Sequence, residues 1–285
     1  MSDLRPFKPV TTEAAWVRVT LICLVVMVLG LILFAPLITV FAEALRDGPA
    51  AALATLREPE AWDAIRLTLL VALIAVPLNA VFGVSAAWFI TKFQFRGKAL
   101  LITLIDIPFS VSPVVAGLCI VLTFGANSWA GAWLVGNGMP VVFAVPGIIL
   151  ASMFVTFPFV ARELIPVMIE QGRAEEEAAL TLGASGLRVF LTVTLPNIRW
   201  ALMYGVLLSN ARAMGEFGAV AVVSGKIRGL TATMPITIEM LYNEYSSVAA
   251  FTLAAVLALL ALVTLAAKTL LEWRYADQLA ANHRH

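Results

Sequence analysis

The sequence predicts an all-α membrane protein with six transmembrane helices, and three observations carry that expectation. Of 285 residues, 61% are hydrophobic and only 13% charged, roughly half the charge that a soluble domain needs to face water. Runs without Asp, Glu, Lys or Arg cover residues 19–42, 67–91 and 245–267, each long enough for one helix across a hydrocarbon core about 30 Å thick. A fourth run, 107–161, is too long for one helix and is interrupted by Gly125, Asn127, Gly131, Gly136, Asn137, Gly138 and Pro140, breakers that imply two spans with a polar turn between them. This composition excludes an ordinary cytosolic enzyme. With a net charge of +1 and no Lys/Arg cluster with interleaved aromatics, nucleic acid is excluded as a partner.

The first run, 19–42, has one rival reading. Val40 and Ala42 fit the small-residue positions of a signal-peptide cleavage site, but a signal core is about 7 to 15 apolar residues and this run is longer, so an uncleaved span is expected. The second span is 67–91, and the third and fourth divide 107–161. The fifth, about 200–223, is apolar except for Arg212 and Glu216, and the sixth is 245–267.

Orientation follows from the basic residues, since short loops rich in Lys and Arg stay cytoplasmic. One side carries Arg5, Lys8, Arg18, Lys92, Arg96, Lys98, Arg162, Arg173, Arg188, Arg199, Lys268, Arg274 and Arg284, thirteen against five on the other: Arg46, Arg57, Arg66, Lys226 and Arg228. Both termini are expected to be cytoplasmic.

Prolines are expected inside the spans at 36, 77, 108, 113, 146 and 158, each removing a backbone hydrogen bond that lipid cannot replace. In the stretch 106–113, Pro108 and Pro113 lie close to Asp106, Ser110 and Ser112, a pattern of a broken helix lining a cavity. Asp106, near a cytoplasmic helix end, reads as a cap or gate partner. Both histidines, His283 and His285, stand at the C-terminus, so no span offers a histidine as axial ligand to haem and hydrolytic metal chemistry loses its commonest ligand. Cys23 and Cys119 lie in apolar runs without disulfide or metal spacing. No catalytic residue and no metal site can be read.

The long cytoplasmic loop 166–199 holds the most specific pattern. Glu175, Glu176 and Glu177 open a short helix where its dipole favours negative charge. Alanines and leucines follow, and Gly183 is placed to end that helix in a left-handed cap. A second short helix, 187–195, is expected to stop before Pro196. The product is a helical hairpin standing on the cytoplasmic surface.

At this point the chain resembles a family. Glu177, Ala178, Ala179, then Gly183, Val193, Leu195 and Pro196 match in type and spacing the loop signature of ATP-binding-cassette importer permeases, with Val193 standing where the family usually has Ile. Residues 77–83, 112–118 and 212–219, with the later text 223–229 and 235–239, resemble its sulfate and molybdate branch, and the last of these the sulfate/thiosulfate importer in particular. The resemblance implies the type I importer permease fold, with a permease core over 61–272, an N-terminal region 1–60 and a cytoplasmic tail 273–285. It implies a multi-pass subunit of the bacterial inner membrane, surrounded by lipid. It also implies three kinds of partner: a second sulfate permease, a dimeric ATPase, and a periplasmic sulfate/thiosulfate-binding protein. ATP and Mg belong on that ATPase, with no cofactor bound by this chain. Glu176, Glu177, Ala178, Ala179, Gly183, Val193, Leu195 and Pro196 would then dock and couple the ATPase.

For the anion path, Arg212 and Glu216 stand four apart on one helical face and read either as a structural ion pair or as a positive potential beside the anion. Gly215 and Gly218 would let another backbone approach there. Ser110 and Ser112 read either as neutral anion donors or as caps for carbonyls freed by Pro113. Lys226 and Arg228, in the outer loop, could guide an anion, contact the binding protein, or simply be solvated. Molybdate or tungstate is the alternative cargo. A gradient-driven secondary transporter is the alternative of another class, against which stand the lack of a clear internal repeat and of a chain of acidic or histidine relays. A membrane enzyme lacks ligands and nucleophiles.

Overall fold

The computed structural model describes residues 15–282, and among these it is helical, without strands. The chain order is α1 (Ala15–Ala44), α2 (Pro49–Arg57), α3 (Pro59–Lys92), α4 (Lys98–Ser110), α5 (Pro113–Phe124), α6 (Trp129–Gly136) and α7 (Val145–Gln171). There follow α8 (Ala174–Thr181), α9 (Gly186–Val189), a π-helical turn (Phe190–Thr194), α10 (Leu195–Met214), α11 (Gly218–Val223), α12 (Met234–Asn243) and α13 (Ser247–Asn282). Five stretches are long and apolar enough to cross a membrane: Trp16–Ala44, Pro59–Lys92, Val145–Gln171, Gly186–Met214 and Ser247–Leu270. The pair α4 and α5 makes a sixth if counted as one broken span, bent by 109°. The terminal His283 and His285, with Arg5, Lys8 and Arg284, lie outside the described residues.

Two expected spans and the turn between the third and fourth take a different form. The third is broken at Val111 and Ser112, as the two prolines suggest, but it begins at Lys98, ahead of the charge-free run. Pro113 is not a kink. Like Pro146, it occupies the first turn of its helix, where its missing N–H has no partner to lose. The turn between α5 and α7 contains a helix of its own, α6, whose N-cap Ser128 accepts the Gly131 N–H at 2.9 Å. The expected fifth span breaks after Met214, so that Arg212 lies in the last turn of α10 and Glu216 in the break before α11.

In lipid no hydrophobic force draws helices together, so close packing must hold them. The centre of the bundle shows how. Val160 of α7 is fully buried between two glycines, Gly83 of α3 and Gly205 of α10. A Cβ added at Gly83 would stand 2.7 Å from the Val160 side chain, and one at Gly205 would stand 3.1 Å from its Cα. One turn away, Asn79 donates to Thr156 Oγ1 at 2.6 Å across α3 and α7, a bond of a kind worth roughly 0.6 kcal/mol within a membrane. Thr68, Thr91, Thr103 and Thr264 satisfy their hydroxyls on the carbonyl four residues back. Toward one end of the bundle, Leu67, Ile148, Val220, Val223 and Ile236 join α3, α7, α11 and α12. Toward the other, Ala87, Leu164, Met168 and Ile198 close the core with Trp88 and Phe190 against them. Helix α1 packs along α13 and leaves most of its apolar surface outside the bundle.

Candidate functional site

The hairpin after α7 is shorter than the sequence suggests, because α7 runs through Pro166 to Gln171 and a continuous helical path resumes at Gly186. Gly172 ends α7 at φ +67, ψ −151, a conformation reserved for glycine. The three glutamates then open α8, and Gly183 closes it at φ +90. Gly183 N–H donates to Leu180 O at 2.9 Å and Ala184 N–H to Ala179 O at 3.1 Å, the paired bonds of a left-handed Schellman cap. The first arm is therefore as expected.

The second arm is not. It does not stop before Pro196 but continues through the π-turn into α10. Pro196 supplies the reason: it has no N–H to give to the carbonyl four residues back, and its ring collides with that carbonyl. Widening the helix to the longer i→i+5 closure, seen in Leu195 N–H to Phe190 O, absorbs both defects.

The loop signature divides into an outward and an inward set. Glu177, Ala178, Gly183 and Pro196 are exposed. Around them the hairpin presents bare leucines, Leu182 at 89% and Leu187 at 71% exposure, with Leu180 and Leu191. Such apolar exposure on a polar face marks an interaction surface. Ala179, Val193 and Leu195 are half-buried, Leu195 against the core around Ala87, Leu164 and Ile198. Glu176 turns inward: its Oε2 lies 3.0 Å from Lys92 Nζ, and its Oε1 accepts from Thr194 Oγ1 at 2.6 Å. Glu175 likewise accepts from Asn197 Nδ2 at 2.5 Å. Lys92, Thr194 and Asn197 escaped the sequence reading; the one available sign was that Lys92 ends a charge-free run.

A second group of residues lies where two helix breaks meet. Gly218 would place a Cβ 3.0 Å from Pro113 Cβ, and Gly117 one 2.7 Å from Ala219 O, so the Ser112 break and the Glu216 break are packed back to back. Gly218 thus permits the close approach expected of it, whereas Gly215 faces only Ala211 O of its own helix at 3.7 Å. Glu216 is buried, its side chain 1% exposed, while that of Arg212 is 36% exposed. Arg212 Nη1 stands 2.6 Å from Glu216 Oε2, an ion-pair distance without hydrogen-bond geometry, and Oε1 accepts the Ala219 N–H at 2.9 Å. Glu216 therefore anchors both Arg212 and the start of α11, leaving the guanidinium partly uncovered. Ser110 and Ser112 are exposed, and neither hydroxyl has a partner within the described chain. Capping of carbonyls freed by Pro113 is thus not what they do, because a proline in the first turn frees none.

Two further expectations change. Asp106 sits inside α4 rather than at its end, and pairs with Arg162 of α7 through Nε–Oδ1 and Nη2–Oδ2 contacts of 2.8 Å each. It is a strut between helices, not a cap. Arg162, taken as a loop cation, belongs to α7 itself. In the loop after α11, Lys226 is held by Glu239 at 2.7 Å, and Arg228 by Glu60 and Glu244. Hydrogen bonding to Glu244, supported by the charge of Glu60, raises the Arg228 pKa above its ordinary value. An open cavity of about 470 Å³ lies nearby, between α5, α6 and the 142–143 strand of coil, lined by Leu122, Phe124, Asn127, Val135 and Phe143. It does not include Ser110, Ser112, Arg212 or Glu216.

A broken-helix bundle with a tied hairpin and an apolar tip is the architecture of a membrane permease subunit. The sequence profile described as "binding-protein-dependent transport system inner membrane component" matches residues 79–277, and the chain belongs to that family. It is 52% identical, over 92% of its length and 90% of the relative's, to the sulfate transport system permease protein CysW of Escherichia coli K12. It is 54% identical to the Synechocystis protein of the same description, over 90% of this chain and 94% of that one. The E. coli K12 sulfate transport system permease protein CysT is 37% identical over 79% of this chain and 81% of its own. Among solved structures, a chain of a bacterial alginate ABC transporter in complex with its periplasmic protein aligns over 91% of this chain and 94% of that one, with a TM-score of 0.75 at 15% identity. That last likeness shows the fold alone.

Proposed function

We propose that this chain is a permease subunit of an ATP-driven sulfate/thiosulfate importer of the bacterial inner membrane. The observation that carries the reading is the 52% identity to a sulfate permease along nearly the whole chain; the second E. coli sulfate permease, CysT, supports a heterodimeric pore. In this reading the permease core is 61–272, and both termini and the hairpin face the cytoplasm, as the distribution of Lys and Arg favours. The leucine-bearing tip enters a groove on a dimeric ATPase, which holds the ATP and Mg, while the opposite face receives a periplasmic anion-binding protein. This chain contributes no catalytic group.

The anion passes where the α5 and α11 breaks adjoin. Exposed Ser110 and Ser112 offer hydroxyl donors, and Arg212 offers a half-exposed positive charge that Glu216 holds in place. A dehydrated dianion needs such donors more than a full countercharge. ATP binding closes the ATPase pair and moves the hairpins, which re-aim the breaks between the two sides of the membrane. The test is uptake of labelled sulfate by a transport-deficient host carrying the assembled complex, with unlabelled competitors. Sulfate and thiosulfate are expected to compete and molybdate to compete at least tenfold less well; a reversed order would assign the site to molybdate.

A further inference from the structure

The hairpin is joined to the bundle by two weak points of the backbone. Gly172 supplies a glycine-only conformation between α7 and α8, and the Schellman turn at Gly183 connects α8 to α9. Left to these alone, α8 would be free to pivot, and a push on its tip would be absorbed by the swivel. The side chains around it prevent this. Lys92, the last residue of α3, donates to Gly172 O at 2.5 Å and pairs with Glu176 at 3.0 Å. Thr194, in the π-turn leading into α10, donates to the other oxygen of the same carboxylate. Lys92 and Glu176 side chains are only 8% and 15% exposed, so salt does little to screen them and neither charge has water in place of its partner. Trp88 of α3 packs edge-on against Phe190 of the π-turn, with centroids 5.7 Å apart, on the flank of this cluster.

We propose that Lys92, Glu176 and Thr194 form a rigid joint that fixes the hairpin to α3 and α10, so that a displacement of its tip moves those two helices with it. The inference rests on the hairpin being the coupling element. Glu176 is then a positioning residue that works within the permease, and the outward Glu177 and leucines make the contact with the ATPase. One carboxylate clamps three elements: it accepts from the end of α3 and from the start of the α10 path while standing in the first turn of α8. One tether bears on Gly172, the swivel between α7 and α8, and the other on the π-turn, so that α8 is held from both sides of the Gly183 turn. The joint therefore restores stiffness where the chain has lost it.

The experiment uses the complete complex in proteoliposomes and reads three quantities: ATPase subunits retained on the purified permease, ATP hydrolysed, and sulfate taken up per ATP. Lys92→Met and Glu176→Gln should each keep the ATPase bound and hydrolysis within about twofold, while uptake per ATP falls at least tenfold. The double variant Lys92→Glu with Glu176→Lys should recover a threefold or greater part of that loss. Thr194→Val, which keeps shape and removes one hydroxyl, should lower uptake per ATP by about threefold and decides the matter should a charge variant not assemble. An unchanged uptake per ATP in Glu176→Gln and Thr194→Val would overturn the proposal. Release of the ATPase by Glu176→Gln would overturn it too, placing that carboxylate in the docking contact. If instead the unaltered complex takes up sulfate without ATP, the coupling reading itself fails, an outcome distinct from either.

Discussion

The hairpin between α7 and α10 and the loop that follows α11 are built from similar parts arranged in opposite senses. Each turns on glycines with positive φ, Gly183 at +90 in one and Gly225 and Gly229 at +67 and +71 in the other, and each carries ion pairs. In the loop after α11 the pairs are on the surface: Arg228, Glu60 and Glu244 side chains are 36 to 52% exposed, while Met234 and Ile236 are buried beneath them. In the hairpin Glu176 faces inward onto Lys92 and Glu175 accepts from Asn197, while Glu177 and the leucines face out. The loop after α11 exposes two apolar side chains, Ile227 at 42% and Leu230 at 67%, whereas the hairpin exposes four leucines, Leu180, Leu182, Leu187 and Leu191, with Leu182 at 89%. So much bare apolar surface on a short hairpin is what an interaction surface shows.

That contrast can be broken from the hairpin side first. Gly183→Val forces a β-branched residue into φ +90, where it is strained. The Schellman turn should open, and uptake with ATPase retention should both fall at least tenfold; normal retention would show that the turn's shape is not what the partner reads. The helix breaks between the two regions come next. Arg212→Ala removes the uncovered charge while Glu216 keeps its bond to the Ala219 N–H, so assembly should survive and uptake should drop about tenfold, with partial recovery in Arg212→Lys. Failure to assemble would make the pair structural instead. The smallest effect belongs to the loop after α11. Lys226→Gln breaks a half-exposed pair with Glu239, a kind of contact worth about 0 to 1 kcal/mol, and thermal stability and uptake should stay close to those of the parent. A tenfold loss of uptake would restore Lys226 as a guide for the anion.

The sequence told most about features whose causes are local. Charge-free runs located the spans because charge at mid-membrane is costly wherever it occurs. The left-handed cap at Gly183 and the break between Pro108 and Pro113 also depend on a few adjacent residues, and both are present. What it did not tell depends on contacts between distant segments. Nothing near Lys92 announces Glu176, and nothing near Asp106 announces Arg162. Lys226 and Arg228 looked free because their carboxylates lie elsewhere in the chain. The second arm of the hairpin differs for another reason: Pro196 reads as a helix stop, whereas a π-turn lets the helix pass it.

The proposed role of the hairpin is to draw work from ATP hydrolysed on another subunit. It is tested most directly by sulfate uptake into proteoliposomes that hold this chain with its second permease, ATPase and binding protein, comparing the parent with Leu182→Asp, a charge at the most exposed point of the hairpin among its leucines. Uptake by the parent should require hydrolysable ATP and ignore an ionophore, and Leu182→Asp should abolish it together with ATPase retention. Uptake that continues without hydrolysable ATP, and stops when the ion gradient is collapsed, would contradict that role.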